Sequence, residues 1–192
     1  MKSNNNTILR LYKQKQSVFS VKEVSLIWQE SNPVNIKAYL KYYADKGDLI
    51  HLRRGIYAKK NFDAYEVATK IYTPAYVSFE TVLRNEGVIF QYYETIFVAS
   101  YLTRDIILNN KQKITYRKIK NSILLNAEGI VRNENYAIAS KERAFLDMIY
   151  LMRDYYFDNL RSIDWKKCFE LVKIYESSEM EKRLIKYHNK YK

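Results

Sequence analysis

The sequence contains a single cysteine, Cys168, among 192 residues. One cysteine cannot form a disulfide within the chain, and a metal site built from several cysteines is excluded. The two histidines, His51 and His188, lie far apart and have no companions at ligand spacing. The composition therefore predicts neither a disulfide-stabilised fold nor a metal or other cofactor.

Glycine, proline and long apolar runs are also scarce. The chain has only 4 glycines and 2 prolines, and 47% of its residues are hydrophobic, which favours a packed core over a disordered chain. No apolar run approaches the roughly 18–20 residues that span a bilayer. The polar start, Met1–Asn6, does not resemble a signal peptide. We therefore expect a cytoplasmic protein that does not associate with membranes.

Positive charge is abundant, with 33 basic and 21 acidic side chains and a net charge of +12. Residues 1–60 alone carry twelve lysines and arginines against four acids. This excess favours a polyanionic partner, although a solubilising charge on a lysine-rich protein would look the same. The stretch Arg104–Lys120 and the C-terminus are basic too. We interpret the stretch Arg104–Lys120 as a solvated strand face rather than a second nucleic-acid surface.

Two helices are predicted near the N-terminus. The first covers about Thr7–Lys15, where apolar residues recur at helical spacing, and a break follows at Ser17–Ser20. Ser20 and Glu23 form a capping-box signature at the start of the second helix.

A third helix is predicted from Pro33 to about Lys46. Asn32 suits its N-cap, proline suits its first position, and Gly47 suits its termination. Its predicted buried stripe comprises Ile36, Tyr39, Leu40 and Tyr43. The start and the other face carry amide, small and cationic side chains, which suit phosphates and base edges in a groove. These candidate DNA-binding residues are Asn32, Val34, Asn35, Lys37, Ala38 and Lys41.

A basic hairpin is predicted directly after the third helix. The short β runs Leu49–Leu52 and Ile56–Ala58 flank a turn that contains Arg53, Arg54 and Gly55. Three helices followed by such a hairpin is the order of a winged helix-turn-helix, so Arg53 and Arg54 complete the candidate DNA-binding set. A plain three-helix bundle with a surface hairpin would show the same order, and winged folds also serve as protein-interaction modules.

The rest of the chain predicts a second domain. Residues 59–63 are polar, so we expect a DNA-binding domain over 1–62 and an interaction domain over 63–192. Four β-like stretches, near residues 95–101, 113–118, 123–125 and 135–139, predict a small, mostly antiparallel sheet among several helices. The expected fold class is α+β, with an N-terminal winged helix-turn-helix followed by a mixed C-terminal domain.

One charged group could be mistaken for a catalytic site. Arg143 and Asp147 stand four residues apart on a predicted helix that Ser140 caps, with Glu142 beside them. No nucleophile, metal ligand or phosphate-binding loop accompanies them, so we interpret Arg143 and Asp147 as a surface ion pair. No catalytic set is recognisable elsewhere, and we expect a protein that is not an enzyme.

Three stretches of the chain form a recognisable series. They are Arg53-Arg54-Gly55-Ile56-Tyr57, then Pro74-Ala75-Tyr76-Val77-Ser78 followed by Thr81, Leu83 and Gly87, and finally Ala139-Ser140-Lys141-Glu142-Arg143-Ala144-Phe145-Leu146-Asp147. Taken in order, they resemble the AbiEi family of antitoxin transcriptional regulators. The resemblance is carried by all three motifs together, in this order and at this spacing. Many members of the family are longer than this chain.

The resemblance implies a function in a toxin–antitoxin system of phage defence. It implies an N-terminal winged helix-turn-helix that represses the protein's own operon by binding promoter repeats in double-stranded DNA. It also implies a C-terminal antitoxin domain that neutralises a nucleotidyltransferase-like toxin encoded alongside. Repeated sites suggest a homodimer or cooperative binding, although no dimer-forming segment is recognisable. The alternative is a protein-interaction module that neutralises a toxin without significant DNA binding.

Overall fold

The computed structural model describes residues 5–191, which form a mixed α+β structure with two compact units. The first unit comprises the chain up to Val67 together with Ile107–Gln112. The second unit comprises Ala68–Ile106 and the chain from Lys113 onward. The mixed α+β class expected from the sequence is confirmed, whereas the division into a DNA-binding domain over 1–62 and an interaction domain over 63–192 stays a prediction.

The first unit combines helices with a small antiparallel sheet. Its elements are α1 (Asn5–Tyr12), β1 (Val18–Ser20), α2 (Val21–Trp28), α3 (Pro33–Asp45), β2 (Ile50–Arg53), β3 (Ile56–Ala58) and the start of α4 (Ala64–Ile71). The strands lie in the order β1-β3-β2. A hydrophobic core joins the helices to this sheet; it contains Leu11, Phe19, Val24, Trp28, Ile36, Leu40, Tyr43, Leu49 and Tyr57.

Both predicted N-caps in this unit are confirmed. The Ser20 side chain accepts a hydrogen bond from the Glu23 backbone N–H at 3.2 Å, and the Ser20 N–H donates to the Glu23 carboxylate at 2.7 Å. The Asn32 side chain accepts from the Val34 N–H at 2.9 Å, and Pro33 is the first residue of α3. These local bonds satisfy helix N–H groups that would otherwise lack partners.

We expect Ser20→Ala to lower the free energy of unfolding of the first unit by about 1 kcal/mol, because the capping box is lost. The measurement is urea unfolding followed by Trp28 fluorescence in a Trp165→Phe background. Ser31→Ala, at an exposed serine, is the control. Equal midpoints for the two variants would contradict a stabilising role for the box.

The break predicted at Ser17–Ser20 is wrong in part, because Val18–Ser20 is strand β1, paired with β3. The buried Glu66 carboxylate anchors this strand; it accepts hydrogen bonds from the N–H groups of Ser17 at 2.9 Å and Val18 at 3.1 Å. Three residues are too few to show the period-2 pattern of a strand. Pairing with β3, rather than the sequence of β1 itself, therefore determines the extended conformation of this segment.

The buried stripe predicted for α3 is right at three positions and wrong at one. Ile36, Leu40 and Tyr43 are buried, whereas Tyr39 is 39% exposed. The Tyr39 ring meets the Trp28 ring edge-on, with centroids 6.2 Å apart. Tyr39 therefore lies at the margin of the core.

The remaining elements are the strands of a six-stranded sheet and the helices that follow them in the chain. They are β4 (Ala75–Val77), α5 (Phe79–Asn85), β5 (Ile96–Ser100), β6 (Arg104–Ile107), β7 (Lys113–Lys118), α6 (Asn121–Leu124), β8 (Ile130–Arg132), β9 (Ala137–Ala139), α7 (Lys141–Leu151), α8 (Trp165–Leu171), a 3-10 helix (Val172–Tyr175) and α9 (Ser178–Tyr191). The strand order is β6-β7-β5-β4-β9-β8. Helix α5 packs against α7 and β5, and α7 packs against α8 and α9.

Two sequence-based expectations for this sheet are wrong. The sheet is mixed rather than mostly antiparallel, because β4 pairs with β9, and β5 with β7, in parallel. The strand expected at 123–125 is instead α6, whose Ile123 and Leu124 are buried. Short apolar runs do not distinguish a strand from a buried helical turn.

Aromatic rings fill the core beneath α7. The Phe145 ring lies 5.0 Å from Phe157, 5.8 Å from Tyr187 and 5.9 Å from Trp165 between centroids. Cys168 is buried, and burial raises the pKa of its thiol. The cysteine therefore behaves as a small apolar residue of this core.

Candidate nucleic-acid interface

The exposed face of α3 forms a ridge that lies opposite its buried stripe. Val34, Ala38, Lys41 and Asp45 follow one another at spacings of four, three and four residues, and all are exposed. Such spacing places side chains in one row along a helix. Six of the eight predicted DNA-binding residues belong to the start or the exposed surface of this helix: Asn32, Val34, Asn35, Lys37, Ala38 and Lys41.

The start of α3 is held by polar contacts with the preceding loop. The Asn32 N–H donates to the Glu30 side chain at 2.8 Å. The Asn35 amide reaches the other Glu30 oxygen at 3.5 Å. Asn35 is thus exposed, and the Glu30 carboxylate already orients its amide. The neighbouring Val34 is 72% exposed.

A groove of about 820 Å³ separates α3 from the β2–β3 hairpin. Its cationic lining consists of Lys37 and Lys41 from α3 and Arg54 from the turn, with the His51 imidazole beside them. Gly55 permits the tight turn between the strands, since its φ is +79°. The groove brings the predicted helix and hairpin residues to one surface of the first unit.

Ion pairing divides the cations of this groove into two kinds. The Lys41 ammonium lies 2.7 Å from the Asp45 carboxylate, and this hydrogen bond and charge raise the pKa of Lys41. Within residues 5–191, neither Lys37 nor Arg54 forms an ion pair. Lys37 and Arg54 are therefore the groove cations that can meet a phosphate without first breaking a pair.

The two arginines of the hairpin are not equivalent. Arg54 is exposed at the turn, whereas Arg53 is half-buried at the end of β2. The Nη1 atom of Arg53 is buried and has no hydrogen-bond partner in the described part of the chain. The sequence did not distinguish these neighbours, because Arg53 ends β2 whereas Arg54 lies in the turn, and only the folded hairpin buries one and exposes the other.

Other cations of this unit, Lys59 and Lys46 among them, bind groups of the protein itself. The Lys59 ammonium donates to the Gln14 carbonyl at 2.6 Å and lies over the Tyr12 and Phe19 rings, and burial lowers its pKa. Lys46 lies 4.0 Å from the Asp48 carboxylate. The net charge of this unit therefore overstates the number of cations available to a ligand.

Asp45 and His51 are among the groove residues that sequence reasoning missed. The His51 ring stacks on Tyr57 with centroids 4.8 Å apart. Burial raises the pKa of the Tyr57 phenol, and Lys41 opposes this shift. The position of Asp45, four residues after Lys41, could have identified it, whereas the position of His51 depends on the hairpin.

A polar cluster that includes Arg143 and Asp147 is buried in the second unit. The expectation that these two residues form a surface ion pair is therefore wrong. Arg143 and Asp147 are fully buried, with Nε and Oδ1 3.3 Å apart. The Asp147 carboxylate also accepts hydrogen bonds from the hydroxyls of Ser78 at 2.8 Å, Tyr76 at 3.0 Å and Tyr175 at 2.6 Å. Helical periodicity alone could not predict this burial, because the partners lie far away in the sequence.

The rest of the Arg143 guanidinium is satisfied by two backbone carbonyls and by the Tyr76 hydroxyl, to which it donates at 3.1 Å. It donates to the Glu128 carbonyl at 2.8 Å and to the Ile123 carbonyl at 2.7 Å. Gly129 makes room for it, because a Cβ there would lie 2.9 Å from the Arg143 Cβ, and its φ is +71°. Ser78 does not cap α5 as its position suggests, since its hydroxyl is directed to Asp147. This cluster joins strand β4 to helix α7 and is structural.

No protein-family model matches the chain, and a search of curated proteins found no significant match. In the described part of the chain, no helix is long and apolar enough to cross a membrane. Residues 5–191 also contain no group of three or more histidine, cysteine or acidic side chains that could hold a metal ion.

Proposed function

We propose that the protein is a DNA-binding transcriptional autorepressor and antitoxin of a toxin–antitoxin operon. The first unit would act as a winged helix-turn-helix, with α3 in the major groove and the β2–β3 hairpin as the wing. The observation that carries this proposal is the groove between α3 and the hairpin, where Lys37, Lys41 and Arg54 converge.

The chemistry of the exposed ridge supports this function. Small side chains at Val34 and Ala38 permit close approach to bases, and Ala38 can contact a thymine methyl group. Lys37 and Arg54 stand on either side of the groove, where they would neutralise phosphates. The unit thus combines a surface that fits base edges with cations that fit the backbone.

The antitoxin part of the proposal depends on the resemblance to the AbiEi family. The resemblance implies that the protein partner is a nucleotidyltransferase-like toxin and that the operator consists of repeats in the protein's own promoter. Repeated sites favour a homodimer or cooperative binding on DNA.

We expect the protein to shift DNA from upstream of its own gene and to do so more weakly as salt rises, because bound phosphates release counterions. The measurement is an electrophoretic shift titrated across salt, with an unrelated duplex as the control. Equal affinity for the two duplexes would contradict a specific repressor. Affinity that does not change with salt would contradict the electrostatic mechanism.

The second candidate is a protein-interaction module, and exposed aromatic rings in the second unit favour it. Phe90, Tyr92 and Tyr156 are 69%, 74% and 71% exposed. Their two segments are joined by the Phe90 N–H, which donates to the Asp158 carboxylate at 2.7 Å. Exposed aromatics on a well-anchored surface are typical of protein contacts. A stable complex with the neighbouring toxin, without a shift of any DNA, would favour this function instead.

A further inference from the structure

Among the described residues, 5–191, Asp45 is the one acid whose side chain lines the groove between α3 and the hairpin. It continues the ridge of Val34, Ala38 and Lys41, and its side chain is 64% exposed. A carboxylate here repels phosphates and hydrogen-bond acceptors of bases alike. Its position in a surface otherwise suited to DNA therefore requires a chemical reason.

The stability of α3 does not supply that reason. Asp45 is the last residue of the helix, where the helix dipole disfavours a negative charge. Its pair with Lys41 has the lysine on the N-terminal side, which is the weaker of the two orientations. Both partners are largely exposed, so the pair adds little to the folded state.

We propose that Asp45 is a base-selecting residue, which accepts a hydrogen bond from the exocyclic amine of a cytosine in the major groove. Among the four bases, cytosine offers a donor there with no adjacent acceptor, whereas guanine presents only acceptors. Lys41 holds the carboxylate in the groove of the free protein and is released to a neighbouring phosphate or guanine when the cytosine amine replaces it. This inference rests on the proposed DNA binding.

The charge of Asp45 also penalises every duplex that lacks this amine. Nonspecific binding consists almost entirely of phosphate neutralisation, so one carboxylate in the interface weakens it. The ion pair also withholds Lys41 from phosphates, because its ammonium must leave the Asp45 carboxylate before it can contact one. Asp45 thus favours one base and restrains binding to all other sequences.

The test is selection of bound duplexes from a randomised library by the full-length protein and by Asp45→Asn. The wild-type protein should select cytosine at one position, and Asp45→Asn should lose that preference while every other selected position persists. Affinity for an unrelated duplex should rise by roughly fivefold in the variant, the order of one exposed ion pair, and its salt dependence should steepen by about one phosphate. The exposed position of Asp45 allows the variant to fold, which thermal unfolding checks.

Asp48→Asn is the matched control, because it removes the same charge from the same unit but lies outside the groove. It should change neither the selected bases nor the affinity for unrelated DNA by a comparable factor. An unchanged base preference in Asp45→Asn, beside a wild-type protein that binds DNA specifically, overturns the role of Asp45 alone. A wild-type protein that selects no sequence overturns the proposed function and this inference with it.

Discussion

Replacing Arg143 with methionine should lower the free energy of unfolding of the second unit by about 3–5 kcal/mol, because one partner of a buried ion pair is removed. Methionine is shorter than arginine but fills most of the volume, so the effect mainly reports the lost charge and donors rather than a cavity. The Asp147 carboxylate would remain fully buried with hydroxyl donors only. The carbonyls of Glu128 and Ile123 would each lose a donor.

The measurement is urea unfolding followed by Trp165 fluorescence in a Trp28→Phe background, so that the signal comes from the second unit. Lys186→Met is the matched control, since it removes the same charge from an exposed pair with Asp154 at 2.9 Å. The control should leave the midpoint nearly unchanged. Similar midpoints for Arg143→Met and Lys186→Met would show that the buried cluster is not what stabilises this unit.

Neutralising Lys37 and Arg54 together should weaken binding to every duplex by about tenfold to a hundredfold and reduce the salt dependence by about two phosphates. These are the groove cations that form no ion pair within residues 5–191, so both charges are available to DNA. Phosphate contacts carry no sequence information, and the ratio of specific to nonspecific affinity should change little.

The double variant Lys37→Ala/Arg54→Ala is compared with Lys13→Ala/Lys60→Ala by electrophoretic shift at several salt concentrations. Lys13 and Lys60 are exposed residues of the same unit that do not line the groove, so the net charge changes equally. Equal losses in the two double variants would mean that net charge, rather than this groove, attracts the DNA. Unchanged affinity in both would contradict the phosphate contacts assigned to Lys37 and Arg54.

The helices of the first unit were predictable because their signals are local. The capping box at Ser20 and the Asn32–Pro33 start of α3 act within a single turn, and each is present in the structure. The exposed face of α3 followed from the period of 3.6 residues alone. Only Tyr39, at the margin of that face, was placed on the wrong side.

The strands were harder to predict, because their partners are distant. Strand β1 and the parallel pair of β4 with β9 depend on chain segments tens of residues away. Isolated three-residue strands have no period that distinguishes them from loops or helical turns. The same limit explains why α6 was expected to be a strand.

The sequence by itself determined where α2 and α3 begin, which residues α3 presents to solvent apart from Tyr39, and that the first third of the chain is strongly basic. These are consequences of backbone capping, helical period and composition, which need no tertiary partner. Only the tertiary structure decided which charges are available. Contacts remote in sequence bury Arg143 with Asp147 and engage Lys59 with carbonyls and aromatic rings, and the fold of the hairpin brings Arg54 beside Lys37 across one groove. The energy of a charge depends on its solvent exposure and its neighbours, and both are set by packing rather than by position along the chain.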